Sequence, residues 1–494
     1  MRACEDITVY SASAHMVGAV FCFGGDLVRQ TDLAGADGAF LPEFIIRKGE
    51  KAMKRIQIEE INHHINEQVL LAGFVGSVRE GKTMVFLVLR DVTGCVQVTI
   101  DKNQTPEIAA AAAALTPDSV ILVRGVVREN EYVHLGGIEI LAYEITVESV
   151  AAPLPIHREE IPATKKKPAV SRSELDVRLD YRWIDLRTEK NQLLFKTQTA
   201  LVAAMREYLV QKGFIEIHTP KLIAAASESG ADVFKVDYFG RDAFLAQSPQ
   251  FYKQMAMAAG FERIFETGPV FRAEKSYTAK HTTEFTGFDL EVSYIQSFLD
   301  LMALEEDILV YALEKVKTAY GEEIEKQFGV PLNVPTKPFP VVTLAELYAA
   351  LEKEYGYHTP ETEDLTTEAE QLSYQWVKKH YRHEFLFITD YGAGKRAFYH
   401  MRDENGTPQG YDLIWKGVEI TTGAQREHRY EILKRQAREK GLDEDVKFYL
   451  EFFRYGCPPH GGFGMGIDRL TMLMTGLHIN EAMFLFRSPK RLTP

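Results

Sequence analysis

The chain has little cysteine. Four stand in 494 residues, Cys4, Cys22, Cys95 and Cys457, with no CxxC pair and no Cys/His spacing of a metal site. That excludes a disulfide framework and a structural zinc, and it is the usage expected in a reducing cytoplasm. Long apolar runs are also missing. Crossing a bilayer takes roughly 18–20 residues, and the longest run near the N-terminus is the short segment from Met16 to Phe23. It lacks a basic leader and a cleavage pattern, so neither a membrane span nor a signal peptide is expected. Basic residues are outnumbered: 57 Lys and Arg against 70 Asp and Glu give a net charge of −13. Such a balance argues against indiscriminate nucleic-acid binding and leaves room for a local basic surface. Neither a Walker A loop nor a GxGxxG in a Rossmann setting occurs, so any nucleotide site must use another architecture.

What is present divides into segments. The length allows two or three domains. Residues 1–52 are Gly- and Ala-rich with weak periodicity, and Met53 begins a cleaner pattern. Arg47 to Lys51 could be encoded by a purine-rich, ribosome-binding-like stretch, so Met53 is the expected natural start and 1–52 an extension. Residues 53–150 are strand-rich. Runs at Gln68–Val75, Thr83–Arg90, Gly94–Ile100, Ser119–Val127 and Val133–Val147, with an Ala-rich helix at Ala109–Leu115, follow the order of an OB barrel. Another small β-barrel is the alternative. OB barrels hold single strands by stacking bases on aromatics. Phe86 and Phe74 are candidates for that, Gln97 for a base edge and Arg79 for a phosphate or base. Each alone fits a structural or solvated role equally well. Residues 151–190 read as a linker, with four prolines before Val170 and the run Lys165-Lys166-Lys167.

From 191 to 494, helices and antiparallel strands alternate without repeated βαβ units, which implies an α+β domain. About 322–400 looks like an insertion. Three stretches concentrate chemistry. Phe261 to Ile295 reads as a hairpin whose period of two puts Phe285, Asp289 and Glu291 on one face, with Phe288, Leu290 and Val292 on the other. Arg272 and Glu274 share a face on its first strand. A solvated polar face is the alternative. Gly461 to Leu470 is a glycine-rich strand entering a helix. Its glycines allow close backbone approach to a ligand, and Arg469 falls in the first helical turn, where an anion is favoured. Tight strand–helix packing is the bland reading. Gly410 to Thr422 reads as one strand, whose Glu419 and Thr422 offer hard oxygens of the kind that suit Mg²⁺ beside nucleotide phosphates. Arg426 then follows in a Gly-containing turn, and with Lys253 it would make a pocket for a small carboxylate.

Taken together these motifs are similar to those of the class II aminoacyl-tRNA synthetases of the aspartyl, asparaginyl and lysyl subgroup. Gly213-Phe-Ile-Glu-Ile-His-Thr-Pro220 resembles the family's first motif. Phe271-Arg-Ala-Glu274 with His281 and Glu284-Phe285 resembles the second, and Gly464-Met-Gly-Ile-Asp-Arg469 the third. Gln247-Ser-Pro-Gln-Phe-Tyr-Lys253 and Gly423-Ala-Gln-Arg426 look like the aspartyl branch of archaeal/eukaryotic type. The resemblance covers roughly Glu67 to Pro494. It implies an α+β catalytic domain, an antiparallel sheet flanked by helices, behind an N-terminal OB-fold barrel, in a homodimer with Pro220 at the interface.

The resemblance also implies roles. Arg272 and Arg469 would be catalytic, holding the α- and γ-phosphates of ATP. Phe285 would stack on adenine, with Glu274, His281 and Gly466 nearby and Glu419 and Thr422 carrying Mg²⁺. Ser227, Gln250 and Asp289 would take the ammonium of L-aspartate, Glu228 would sit in a closing loop, and Lys253 and Arg426 would take the side-chain carboxylate. Two cations around that carboxylate would reject asparagine, at a cost of roughly 3–5 kcal/mol for the uncompensated charge. Arg79, Phe86 and Gln97 would read the anticodon of tRNA(Asp). Gly76, where many relatives carry a larger or polar side chain, leaves tRNA(Asn) open as a second substrate. The loop Lys275–Thr283 would be a flap over ATP and the tRNA end. Departures from the family's pattern are Thr422 for the usual Ser, Ser229-Gly230 for Gly-Gly, Gly392, Ala397 and Leu485. None removes a catalytic group. An asparaginyl enzyme and a catalytically silent tRNA-binding relative are the rivals.

Overall fold

The computed structural model describes residues 53–160, 169–224, 233–274, 281–358 and 364–494. The expected extension 1–52, Lys165–Lys167, Ser227, Glu228, Ser229-Gly230 and most of the loop after Glu274 lie outside the described residues.

Strands β1 (Gln68–Glu80), β2 (Met84–Arg90), β3 (Cys95–Asp101), β4 (Val120–Glu129) and β5 (Ile138–Ser149) close into a barrel of order β1-β2-β3-β5-β4. Helix α1 (Pro106–Ala113) lies between β3 and β4, the position expected in the sequence. Alternation explains the closure: Val85, Leu87 and Leu89 point inward with Val96, Val98 and Ile100, and all are buried. The last strand begins at Ile138 and not at Val133. Gly136 and Gly137 both have positive φ, so the chain turns there before pairing.

The stretch 151–190 is only partly a linker. Its second half forms α2 (Leu175–Asp180) and α3 (Arg182–Asp185). Arg182 is 1% exposed and donates to Asp185 and to the carbonyls of Glu481, Met483 and Phe484. These helices therefore belong to the α+β body. They were illegible locally because their partners are some 300 positions away.

The α+β body follows through α4 (Glu189–Gln211), β6 (Ile215–Glu216), β7 (Leu222–Ile223), β8 (Lys235–Tyr238), β9 (Arg241–Leu245), α5 (Gln250–Ala258), β10 (Arg263–Phe271), β11 (Glu284–Ser293) and α6 (Phe298–Phe328). Then come β12 (Val341–Thr343), α7 (Leu344–Tyr355), α8 (Thr367–Tyr381), β13 (Phe385–Thr389), β14 (Gly410–Trp415) and β15 (Val418–Gln425). The last elements are α9 (Tyr430–Glu439), α10 (Lys447–Arg454), β16 (His460–Gly466), α11 (Ile467–Thr475) and α12 (Ile479–Ala482). An eight-stranded sheet runs β12-β13-β14-β15-β16-β11-β10-β6, antiparallel except at its two edges. Helices α4, α6 and α11 pack on one face around Leu201, Leu309, Leu313 and Phe288. Among the described residues, no helix is long and apolar enough to cross a membrane.

Two local expectations change. Gly410 to Thr422 is a hairpin and not one strand. Lys416 and Gly417 both take positive φ, which is the geometry of a two-residue turn. Gly423 lies in mid-strand, not in a turn. Its glycine is required because an added Cβ would meet the Tyr411 ring at 2.4 Å, so Arg426 follows directly from β15 and is aimed by the sheet.

Candidate active site

Strands β11, β15 and β16 are adjacent, and their shared face forms the floor of a pocket of about 300 Å³. Its lining includes Arg272, Glu274, His281, Phe285, Gln250, Lys253, Asp289, Glu419, Thr422, Arg426, Gly466 and Arg469. The structure thus brings together every predicted ATP, amino-acid and metal residue among those it describes.

At the deep end, charges are buried in pairs. Lys253 is 2% exposed, and its Nζ lies 3.0 Å from Asp289 Oδ1 and 3.4 Å from Glu291 Oε2, while donating to the Phe463 carbonyl. Arg426 is 3% exposed; its Nε donates to Glu291 Oε1 at 3.0 Å and its Nη2 to the Gly462 carbonyl at 2.8 Å. Close strand packing makes room for this. A Cβ on Gly462 would lie 2.4 Å from Glu291 Oε2, and one on Gly464 would lie 2.8 Å from Asp289 Oδ1. Burial opposes ionisation of Glu291, but Arg426 and Lys253 outweigh it and hold the carboxyl below its usual value. The face read from the hairpin is therefore no solvated surface.

The two cations are not unopposed. With Glu291 and Asp289 the deep end holds two positive and two negative charges, a pairing of Lys253 and Arg426 with Glu291 that the sequence reading did not include. Glu291 was placed on the correct face in the sequence but given no role. His400 was missed. It lines the same pocket, is 4% exposed, and its Nδ1 has no hydrogen-bond partner among the described residues. Burial and the neighbouring Arg426, Arg396 and Lys253 keep it neutral. A lone histidine in a long irregular segment carries no pattern, so only the fold could find it.

At the open end, the Arg272 guanidinium lies over the Phe285 ring, 5.2 Å from its centre, a cation–π contact. Arg469 Nη1 donates to the Glu419 carbonyl at 2.8 Å, and its guanidinium stands 4.0 Å from the Glu419 carboxylate. Thr422 Oγ1 is 3.4 Å from Glu419 Oε1. Burial, and then the charge of Asp412, push the Glu419 carboxyl up to about 7. Asp412 is itself clamped by Arg396 at 2.6 and 3.0 Å.

On the barrel, Arg79 lies 4.6 Å over the Phe86 ring, and β3 brings Gln97 alongside. Gln97 Nε2 is held by Thr99 and Glu139, each at 3.2 Å. Phe74 is elsewhere. Arg90 and Arg187 cover its ring at the junction with the α+β body, so the expectation that it stacks a base is corrected. Pro220 is exposed beside the short edge strand β6, where Ile215 is 48% exposed.

A family model described as "tRNA synthetases class II (D, K and N)" matches residues 174–488, and an "OB-fold nucleic acid binding domain" model matches 69–148. The chain belongs to the class II tRNA synthetases. Among curated relatives, the Aspartate--tRNA(Asp/Asn) ligase of Methanopyrus kandleri is 43% identical over 431 residues, 87% of this chain and 96% of its own. The Aspartate--tRNA(Asp) ligase of Pyrococcus abyssi is 40% identical over 442 residues, 88% of this chain and 98% of its own. Among solved structures, an asparaginyl-tRNA synthetase from Pyrococcus horikoshii complexed with asparaginyl-adenylate superposes with a TM-score of 0.81. It is 31% identical and covers 89% of this chain and 100% of its own. An aspartyl tRNA synthetase from Entamoeba histolytica gives 0.79 at 30% identity, covering 91% and 96%. As a class II synthetase the chain is an enzyme of the aminoacyl-tRNA synthetase class, with a barrel suited to tRNA and a catalytic domain of a family that uses ATP.

Class II synthetases of this group are expected to employ Mg²⁺ with ATP. Among the described residues no group of three or more His, Cys, Asp or Glu is placed to hold a metal by itself. The donors present nevertheless fit a cation that shares its shell with phosphates, because such an ion needs only one or two protein oxygens. Glu419, its carboxyl raised by burial and then by the charges of Asp412 and Glu370, is a group that a cation would relieve.

Proposed function

We propose that the chain is an aspartate–tRNA ligase, activating L-aspartate with ATP to aspartyl-adenylate and pyrophosphate and then loading tRNA(Asp). The observation that carries the choice of amino acid is the charge count at the deep end. Lys253 and Arg426 are balanced within the protein by Glu291 and Asp289. A substrate ammonium taken by Asp289 removes one negative charge from that balance. The side-chain carboxylate of aspartate then restores it, whereas the amide of asparagine leaves a buried cation unmatched. Gln250 and Ser227 would complete the ammonium site, with Glu228 closing over it.

In the first step an oxygen of the α-carboxylate attacks the α-phosphorus of ATP, and pyrophosphate leaves. Arg272 would bear on the α-phosphate and Arg469 on the γ-phosphate, with Phe285 under the adenine and Glu274, His281 and Gly466 around the nucleotide. Guanidinium forks match phosphate oxygens, so the protein contributes positioning and charge. Glu419 and Thr422 would hold Mg²⁺, which when bound supplies further neutralisation of phosphate charge. In the second step a hydroxyl of the terminal adenosine of tRNA attacks the adenylate carbonyl and AMP leaves. Arg79, Phe86 and Gln97 would meet the anticodon, since unstacked loop bases suit such a surface. The exposed edge at Ile215 and Pro220 supports a homodimer through that face.

A second reading, that tRNA(Asn) is charged too, rests on Gly76. It is exposed on the barrel and offers no side chain to sort the two tRNAs. Aminoacylation of purified tRNA(Asp) and tRNA(Asn) side by side, after ATP–pyrophosphate exchange with each amino acid, tests both readings. Exchange stimulated more by asparagine than by aspartate overturns the proposal.

A further inference from the structure

Behind the amino-acid pocket four buried side chains form a chain of hydrogen bonds. Gln250 and Gln254 lie four apart on α5 and so share a face. Gln250 Nε2 donates to Gln254 Oε1 at 2.7 Å, and the Tyr449 hydroxyl of α10 donates to the same oxygen at 2.9 Å. Gln254 Nε2 lies 3.0 Å from His460 Nε2, and His460 Nδ1 lies 2.8 Å from the Pro458 carbonyl. Gln254, Tyr449 and His460 are fully buried, and Gln250 is 4% exposed at the pocket wall.

The direction of every bond in this chain follows from its far end. A carbonyl oxygen can only accept, so His460 carries its proton on Nδ1. Its Nε2 is then a lone pair, which obliges Gln254 to turn its NH₂ toward it. Gln254 Oε1 must therefore face Gln250 and Tyr449. That acceptor draws the NH₂ of Gln250 inward, and Gln250 Oε1 is left without a partner among the described residues. The imidazole is held in its neutral form. Burial lowers its pKa to about 4, and Arg426 and His428 act in the same sense against Glu291 and the Pro458 carbonyl. The other groups packed on it are neutral: Phe453 of α10 stacks on its ring, and the Cys457 thiol is held protonated by burial.

We infer that Gln254 and His460 are positioning residues which set the amide orientation of Gln250, so that it presents an oxygen and not an NH₂ to the substrate ammonium. A glutamine alone is ambiguous in this respect, because its two ends have the same shape and opposite polarity. The relay resolves the ambiguity from a backbone carbonyl two residues before β16 completes the pocket floor. The inference rests on the reading of Gln250 as an ammonium ligand.

ATP–pyrophosphate exchange with the full chain separates the two claims. Gln254→Leu removes the acceptor that orients Gln250. It should raise the KM for L-aspartate about tenfold or more, the scale of a hydrogen bond to a charged group, with the KM for ATP unchanged. Gln254→Glu keeps an acceptor toward Gln250 and Tyr449 and, by taking up one proton shared with His460 Nε2, keeps a donor on that side. It should hold the aspartate KM within about threefold of the parent even if the leucine variant does not fold. An aspartate KM raised as much by Gln254→Glu as by Gln254→Leu overturns the relay, and so does a Gln254→Leu variant that folds and keeps its aspartate KM. Gln250→Leu guards the premise. If it leaves the aspartate KM unmoved, the ammonium reading of Gln250 fails. If it raises that KM while Gln254→Leu does not, only the relay fails.

Discussion

The proposed recognition surface of the barrel is made of side chains that stand outside its core, whereas the floor of the proposed catalytic pocket is made of side chains that are themselves core. Arg79, Phe86 and Gln97 sit on strands whose alternate residues, Val85, Leu87, Val96 and Val98, hold the barrel together without them. Lys253, Glu291 and Arg426 have no such backing; they are sealed between α5, β11, β15 and β16. Removing a barrel contact should therefore cost that contact alone. Removing a pocket charge leaves its partner buried and unmatched, so pocket effects should be large and non-additive.

Lys253→Ala should have the largest effect. Losing one partner of a buried ionic cluster costs on the order of 3–5 kcal/mol. Aspartate activation in ATP–pyrophosphate exchange should fall by two orders of magnitude or more while the KM for ATP changes little. Equal losses for both substrates would remove Lys253 from the amino-acid side of the pocket.

Glu305 sharpens the same contrast without touching the pocket. It is fully buried beneath β15, accepts from the Tyr411 hydroxyl at 2.7 Å, and burial raises its carboxyl to about 8. Its folded pKa lies above the usual carboxyl value of 4.5. The stability it contributes is thus complete below that value and lost as pH rises through about 8. Thermal unfolding followed from pH 6 to 9 should show a falling midpoint that Glu305→Gln flattens. An unchanged slope would mean that another group titrates.

Phe86→Ala belongs to the opposite class. Stacking of one base is worth about 1–3 kcal/mol, so the KM for tRNA(Asp) should rise roughly tenfold to a hundredfold, while tRNA-independent exchange and the unfolding midpoint stay close to the parent. A stability loss as large as that of Lys253→Ala would erase the distinction between surface and core. Gln97→Ala should be milder still, about 1 kcal/mol for one neutral hydrogen bond, read as a small rise in tRNA KM.

Much of this was legible in advance because it is periodic or punctuated. The barrel order was visible in runs of alternating residues, and the pocket hairpin in the period that set Asp289 and Glu291 apart from Phe288 and Leu290. Arg272 and Arg469 stood beside motifs of fixed spacing. What escaped had partners far away in sequence. Helices α2 and α3 looked like linker because Arg182 is satisfied by carbonyls beyond residue 480. The β14–β15 turn was missed because Lys416 there takes a positive φ that its side chain does not advertise. Phe74 looked like a base platform because nothing nearby reveals that Arg187 will cover it.

By itself, then, the sequence determined which chemical groups the proposed site can use: two arginines suited to phosphate, a lysine and an arginine suited to a carboxylate, and an aromatic on the barrel suited to bases. Residue type fixes charge and hydrogen-bonding capacity, and spacing fixes the face. Only the tertiary structure decided the balance among those groups. Whether Lys253 and Arg426 are bare or matched depends on Glu291 lying between them, and which end of Gln250 faces the pocket depends on a carbonyl at Pro458. Net charge and bond direction in a buried site are properties of the whole neighbourhood, and that neighbourhood exists only once the strands have met.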